Sequence, residues 1–118
     1  MNFRKGIDLF IDLAKILANL SDNYVFIIIG DYEDKTWEEF ASRRLEQYKL
    51  KHKFYQTGFR PNVFPFLELI NHLAFTSRCE LFLRSILESI VMQKTVSCFK
   101  ISGNHDVVGK DYGLLCDC

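Results

Sequence analysis

Residues 24–30, Tyr24-Val25-Phe26-Ile27-Ile28-Ile29-Gly30, are the stretch of this chain from which its fold can be predicted. The run is apolar, rich in β-branched and aromatic side chains, and stops at a glycine, so it predicts a strand buried on both faces. Upstream, apolar side chains recur at helical spacing, and the polar residues 21–23 end that helix. The apolar positions of this helix are Ile7, Phe10, Ile11, Ala14 and Leu17.

Helices and strands continue to alternate after this strand. Thr36 and Glu39, three positions apart, predict a capping box at the start of the second helix. Asn62 predicts the cap of a third helix, whose buried face would be Val63, Phe66, Leu67 and Ile70. The other predicted segments are strands at residues 53–57, 72–76, 95–99 and 113–116, a helix at residues 83–92, and a loop that contains residues 102–104. This alternation predicts an α/β fold, with a parallel Rossmann-like sheet and helices on both faces.

The composition limits the size and the partners of the protein. Its 118 residues, 48% of them hydrophobic, provide for one packed domain, which we expect to span residues 1–118. Fifteen basic and fifteen acidic residues cancel, so no field of one sign favours binding to nucleic acid or to an anionic membrane surface. The longest apolar runs are too short to cross a bilayer, so we expect no transmembrane segment.

The cysteines bear on the compartment and on metal binding. No pair of CxxC motifs occurs among the four cysteines, which predicts reduced thiols in a cytoplasmic protein. Cys116 and Cys118, with His105 nearby, form a weak zinc candidate because this spacing fits no common structural site. A structural zinc site is therefore disfavoured.

Glu80 and Glu88 lie on an otherwise apolar stretch, where a carboxylate costs solvation unless a ligand or a partner satisfies it. An extended ligand such as a nucleotide-sugar suits this layout, because one carboxylate can accept from ribose hydroxyls and the other from the transferred sugar. Between them, the N–H groups of a helix start would face the diphosphate. Ligands of parallel sheets bind at the carboxyl ends of the strands, where Gly30, Gly58 and Gly103 also fall.

Each of these residues also has an ordinary structural interpretation. Glu80 could be a helix-cap carboxylate, and Glu88 a solvated or salt-bridged glutamate. Lys5 could be a solvated lysine in the first turn of a helix, although a cation is mildly unfavourable there unless an anion is near. Residues 31–34 imitate an acidic metal-binding motif, but they precede a helix start and are expected to form a solvated loop.

Taken in order, the motifs of this chain resemble the C-terminal, donor-binding domain of retaining GT-B-type glycosyltransferases of group 1. The resemblance covers nearly the whole chain. The segments that carry it are Arg4-Lys5-Gly6-Ile7-Asp8, Ile28-Ile29-Gly30, Ser77-x-x-Glu80-x-Phe82-x5-Glu88, Ser102-Gly103-x-x-Asp106-Val107-Val108 and Gly109-x3-Gly113-Leu114-Leu115. It implies the C-terminal half of a GT-B fold, with the first strand truncated or missing because the chain opens with a helix.

The resemblance also implies roles for individual residues. Lys5 would contact the donor diphosphate, and Glu80 the transferred sugar close to its reacting carbon, as the two catalytic residues. Glu88 would hold the ribose hydroxyls, and the N–H groups around Leu83 and Arg84 would stabilise charge on the departing nucleoside diphosphate. The remaining donor-binding residues would be Gly30, Gly58, Ser77, Gly103 and Asp106. No metal and no cofactor are expected, since the family reaction proceeds without a bound metal.

Some positions depart from the family pattern. Leu81 and Leu83 stand where small residues are usual, Ser89 replaces an alanine, and Gln93-Lys94-Thr95 replaces Gly-Lys-Pro. The resemblance implies a nucleoside-diphosphate-sugar donor, a missing N-terminal acceptor domain, and a saccharide or lipid-linked acceptor. The full-length protein would move a hexose-type sugar in polysaccharide or lipopolysaccharide biosynthesis, in the cytoplasm or at the cytoplasmic face of the membrane. The isolated chain is expected to be inactive.

Two other function classes remain open at this stage. A nucleotide-sugar epimerase on the same architecture would bind the same ligand, but it needs acid and base residues from the cleft. A non-catalytic α/β interaction module would have no need of Lys5, Glu80 and Glu88 on one edge. Dinucleotide and P-loop chemistry are disfavoured, because no G-x-G-x-x-G follows the strand at residues 24–29 and no Walker loop is present.

Overall fold

The computed structural model describes residues 1–80, 83–101 and 105–117, with the main chain alone at residues 105, 106, 110 and 111. Within these ranges the chain forms two compact units, Met1–Pro61 and Asn62–Cys118. Each unit is described by itself, and the expectation of a single domain stays a prediction. No helix in the described ranges has the length and the apolar character needed to cross a membrane.

The first unit is built around a pair of parallel strands. Its elements are α1 (Ile7–Leu20), β1 (Phe26–Ile28), α2 (Lys35–Gln47), a 3-10 turn (Lys51–Lys53) and β2 (Phe54–Gln56). Strand β1 pairs with β2 in parallel, with Phe26 opposite Phe54 and Ile28 opposite Gln56. The apolar run at residues 24–30 therefore contains a strand, as predicted, although only its centre is paired.

The core of this unit confirms the apolar periodicity of α1. Ile7, Ile11 and Ala14 are buried, and they pack with residues of β1 and α2. The buried partners are Phe26, Ile28, Ala41, Leu45 and Leu50. A polar cluster also joins the two helices: Arg44 Nη2 donates to Asp12 Oδ2 at 2.7 Å, and the Tyr48 hydroxyl donates to Asp12 Oδ1 at 2.9 Å.

The predicted cap of α2 is wrong by two positions. Asp34, in extended backbone conformation, precedes the helix, and its Oδ1 accepts from the Trp37 backbone N–H at 3.1 Å. Thr36 therefore lies inside the first turn. Aspartate and threonine are both good N-caps, and the spacing of the apolar positions in the helix does not separate them.

The second unit holds three parallel strands in the order β3-β4-β5. Its elements are α3 (Phe64–Leu69), β3 (His72–Phe75), α4 (Arg84–Val91), β4 (Thr95–Phe99), α5 (His105–Tyr112) and β5 (Gly113–Cys116). The sequence did not predict α5, because it is short and Gly109 interrupts it with non-helical angles (φ 51°, ψ −170°). Such a break removes the 3.6-residue periodicity by which a helix is recognised.

One face of this sheet is covered by α4 and α5. The buried core consists of Leu83, Ile86, Val96, Cys98 and Val108. On the opposite face the His72 ring lies between two hydroxyls of β4, with Nδ1 2.7 Å from Thr95 Oγ1 and Nε2 2.9 Å from Ser97 Oγ. Burial lowers the pKa of His72. This histidine is therefore held by both of its ring nitrogens.

Helix α3 follows the prediction only in part. Asn62 Oδ1 accepts from the Phe64 backbone N–H at 3.1 Å, although Val63 occupies the cap position itself. Of the predicted buried face, Leu67 is buried. Val63, Phe66 and Ile70 are only partly buried. A helix of six residues has fewer than two turns, which limits how many side chains it can bury on one face.

The predicted α/β fold with parallel strands is confirmed. The strands belong to two sheets, one of two strands and one of three, whereas the sequence suggested a single sheet. Apolar periodicity indicates that a segment is a strand, but it does not specify the neighbour with which the strand forms hydrogen bonds. The number of sheets therefore could not be predicted from the apolar periodicity.

Candidate functional site

The loop after β3 holds the first of the two predicted glutamates. Ser77 is 2% exposed, and its hydroxyl donates to Glu80 Oε1 at 2.8 Å. A buried serine that donates to one carboxylate oxygen restricts the orientation of that carboxylate. The structure thus brings together Ser77 and Glu80, which the sequence predicted as neighbours.

The start of α4 lies directly after this loop. Leu83 precedes the helix, no side chain of the described residues caps it, and its first turn contains no acidic residue. The first N–H groups of a helix have no partner within the helix, and the helix dipole places partial positive charge beside them. The main chain at Leu83 and Arg84 is therefore suited to an anion such as a phosphate.

Glu88 lies one turn further along α4. Its carboxylate Oε1 accepts from Arg84 Nε at 2.8 Å, and the two side chains are 17% and 80% exposed respectively. The mostly covered glutamate is thus paired with a mostly exposed arginine. The loop at Ser77 and Glu80 and the helix with Glu88 are consecutive in the chain, so both predicted carboxylates belong to one β3–loop–α4 segment.

Ser89, beside Glu88, is a polar residue in an apolar environment. It is 0% exposed, and its hydroxyl has no hydrogen-bond partner among the described residues. A buried hydroxyl without a partner costs free energy relative to an alanine at the same position. The sequence showed Ser89 as a departure from the family pattern, but it gave no sign of this cost.

In the first unit, Gly30 and Gly58 meet at the carboxyl ends of β1 and β2. Gly30 N donates to Gly58 O at 2.9 Å, and both residues have positive φ angles of 121° and 72°. A side chain at Gly58 would bring its Cβ to 3.2 Å from Asp31 Oδ1. Positive φ favours glycine at both positions, so the structure explains why this turn contains the two glycines.

Lys5 precedes α1 near the same end of the unit. Its backbone N–H donates to Asn2 Oδ1 at 3.0 Å, and the next residue, Gly6, has a φ of 66°. The preceding residues lie against the segment that follows β1, because Glu33 N donates to Met1 O at 3.1 Å and Asn2 contacts the Glu33 carboxylate. The Lys5 loop and the Gly30 turn are therefore neighbours.

Three parts of the predicted site stay predictions. Gly103 lies outside the described residues, and of Asp106 only the helical main chain in α5 is described. The convergence of all predicted residues on one sheet edge is also untested. Lys5, Gly30 and Gly58 belong to one unit, and Ser77, Glu80, Leu83, Arg84 and Glu88 belong to the other.

The sequence missed a cavity beside the Gly30 turn. It has a volume of about 290 Å³ and is lined by Asp31, Tyr32, Asp34, Lys35, Glu38 and Gln56. Burial, and secondarily the charge of Glu38, raise the pKa of Tyr32. Residues 31–34 were expected to form a solvated loop, and the one sequence signal for a cavity was the aromatic Tyr32 within this acidic segment. Among the described residues, no three His, Cys, Asp or Glu side chains are grouped as a metal site requires.

Comparisons with known proteins identify the family and the fold. The family model of the glycosyl transferases of group 1 matches residues 1–118. The search of curated proteins gives no significant match.

Among solved structures, the chain is similar to Anabaena Alr3699/HepE in complex with UDP, with a TM-score of 0.88 and 23% identity over 98% of this chain and 32% of that chain. The same protein is also known in complex with UDP-glucose. The chain is also similar to the C-terminal domain of LpcC from Francisella tularensis, a glycosyl transferase of the group 1 family. The TM-score is 0.85 and the sequence identity is 18%, over 99% of this chain and 63% of that chain.

WaaG, a glycosyltransferase involved in lipopolysaccharide biosynthesis, gives a TM-score of 0.79 and 21% identity, over 97% of this chain and 30% of that chain. The chain therefore spans about a third of the length of HepE and of WaaG. At these identities the likeness shows a shared fold.

Proposed function

The chain belongs to the group 1 glycosyltransferase family, and we propose that it is the donor-binding half of such an enzyme, with a nucleoside-diphosphate sugar as its ligand. The observation that carries this proposal is the β3–loop–α4 segment. Within about a dozen residues it combines a carboxylate held by a buried serine, a helix start without a side-chain cap, and a second carboxylate one turn later.

Each part of the segment matches one part of the ligand. Glu88 accepts from the ribose hydroxyls, and the first N–H groups of α4 bind the diphosphate. Glu80 accepts from hydroxyls of the transferred sugar, near its reacting carbon. As the bond to the sugar breaks, negative charge grows on the departing diphosphate, and the N–H groups at Leu83 and Arg84 stabilise it electrostatically.

The turn residues of the first unit are proposed as separate donor contacts. Lys5 contributes a positive charge to the diphosphate, which accounts for a lysine directly before a helix start, where the dipole disfavours a cation. Gly30 and Gly58 allow close approach of a ligand to the backbone at the carboxyl ends of β1 and β2. Gly103 and Asp106 are proposed as further donor contacts.

The whole protein's reaction is also a proposal, since the chain spans only about a third of HepE and WaaG. We propose a retaining, metal-independent transfer of a hexose-type sugar to a saccharide or lipid-linked acceptor held by an N-terminal domain. HepE binds UDP and UDP-glucose, which supports a nucleotide-sugar donor here. We also propose a cytoplasmic location, at the membrane face if the acceptor is lipid-linked. The family match favours a transferase over an epimerase or an interaction module.

The proposal is tested by titrating the chain with nucleoside diphosphates and their sugar derivatives while amide chemical shifts are recorded. We expect weak binding, with shifts near Gly30, Gly58 and residues 80–88. Glu88→Gln should weaken binding by about 1–3 kcal/mol, because a charged acceptor is lost. The matched control is Glu46→Gln, which removes an exposed glutamate paired with Lys51 and should leave binding unchanged. Absence of shifts at millimolar ligand, or shifts scattered over the surface, would refute the proposal.

A further inference from the structure

The Arg84–Glu88 ion pair has features that helix stability does not explain. Arg84 Nε lies 2.8 Å from Glu88 Oε1 across one turn of α4. The arginine side chain is 80% exposed and the glutamate side chain is 17% exposed. An ion pair with one strongly solvated partner contributes on average little to folding.

The order of the two charges is also unfavourable for the helix. Arg84 is the first residue of α4, and Glu88 lies in its second half. The helix dipole favours anions at the N-terminus and cations at the C-terminus, and a pair with the acidic residue first is the more stabilising order. In α4 the cation is at the N-terminus and the anion is in the C-terminal half, so the helix dipole disfavours both placements. The position of Arg84 is better explained by the carboxylate that it contacts.

The contact fixes one oxygen of Glu88 and leaves the other for a ligand. Arg84 donates through Nε to Oε1, so Oε2 can accept from a further donor. Ser77 also holds Glu80, through Oε1. The fixed orientation of the Glu88 carboxylate favours a ribose that binds to it.

We propose that Arg84 is a positioning residue for Glu88: it holds the carboxylate in the orientation that accepts the ribose hydroxyls of a nucleoside diphosphate. The inference rests on the proposed function, and specifically on Glu88 as the ribose acceptor. The Arg84 side chain acts through Glu88 and through the ribose, without a side-chain contact to the phosphates. Its effect therefore depends on the ribose hydroxyls being present.

This dependence defines the experiment. Wild type, Arg84→Met and Arg84→Lys are titrated calorimetrically with UDP, ADP and GDP, and with the 2′,3′-dideoxy analogue of the tightest binder. We expect Arg84→Met to bind the nucleoside diphosphate about three- to fivefold more weakly, and the dideoxy analogue with unchanged affinity. Arg84→Lys should restore part of the loss. Lys51→Met, which removes an ion pair of the same 2.8 Å length in the other unit, is the matched control and should change neither affinity.

The outcomes separate this inference from the proposed function. Equal loss for both ligands would overturn it, because Arg84 would then act on the phosphates directly. Unchanged affinity of Arg84→Met for the nucleoside diphosphate would also overturn it, while wild-type binding would leave the proposed function intact. If wild type binds none of the three nucleotides, the proposed function itself fails, and the inference with it. In a Glu88→Gln background, Arg84→Met should have no further effect, and an additional loss there would contradict a role through Glu88.

Discussion

Gly113→Ala should destabilise the second unit more than any other glycine substitution described here. A Cβ at residue 113 would lie 1.8 Å from Val96 O and 2.8 Å from the Val96 carbonyl carbon. Carbon and oxygen that are not bonded stay at least about 3.3 Å apart even in close contacts, so β4 and β5 would have to separate locally by about 1.5 Å. Val96 is 0% exposed in the core, and it pairs directly with Gly113.

The cost follows from this displacement. Overpacking costs about 1–3 kcal/mol, and each hydrogen bond lost beside residue 113 costs about 0.5–1.5 kcal/mol. We therefore expect the free energy of unfolding to fall by about 3 kcal/mol. Urea unfolding of the full chain measures it.

The control for this substitution is Gly109→Ala. An added Cβ at Gly109 meets no atom within 4 Å, but its φ of 51° is strained for alanine. This variant should lose about 1 kcal/mol from backbone strain alone. If Gly113→Ala is no less stable than Gly109→Ala, the steric argument is refuted.

Four further outcomes are expected. Ser89→Ala should raise the free energy of unfolding by about 1 kcal/mol in urea titrations, because it removes a buried hydroxyl without a partner, and a loss would show that the hydroxyl is satisfied. Glu80→Gln should weaken binding of a nucleotide-sugar by about 1–3 kcal/mol and leave the affinity for the free nucleoside diphosphate unchanged. Equal losses of affinity for the two ligands in calorimetry would refute the assigned contact of Glu80 with the transferred sugar. Because the pKa of His72 is lowered in the folded state, the unfolded chain binds more protons, and the free energy of unfolding should fall as the pH drops through about 6.5 towards the folded pKa. His72→Gln should flatten this part of the plot of urea midpoint against pH. An unchanged slope in this variant would contradict the prediction. The isolated chain should not transfer sugar in a radiolabel assay. One half of a cleft cannot hold donor and acceptor together, and this proximity can lower the activation free energy by about 7–11 kcal/mol. Steady acceptor-dependent formation of product would refute this prediction.

The parts of the fold that the sequence predicted are those with strong periodicity. The apolar positions of α1 are buried as expected at Ile7, Ile11 and Ala14, and the bounds of β4 and β5 agree with the predicted strands. The errors occur where several residues satisfy the same local rule. Asp34 and Thr36 are both suitable caps, and α5 is too short and too interrupted at Gly109 to show a period.

The candidate site was proposed from motif order, and its contacts were not predicted. Ser77 and Glu80 were proposed together, and the structure adds that the serine is buried and donates to the glutamate. The pairing of Arg84 with Glu88 was not predicted, although their spacing by four residues on a predicted helix is compatible with it. Their unequal exposure, and the burial of the Ser89 hydroxyl, depend on tertiary packing that no local pattern contains.

The polar cluster of Asp12, Arg44 and Tyr48 has a consequence for motion in the first unit. Because Arg44 of α2 and Tyr48, the residue after this helix, both donate to Asp12 of α1, local opening of α2 would break these bonds and uncover the buried Ala41 and Leu45. We therefore expect the two helices to open together, with similar hydrogen-exchange protection of their central amides. The Lys5 loop and the Gly30 turn precede these helices. When a ligand displaces these two segments, we expect the two helices behind them to remain joined as one cooperative unit.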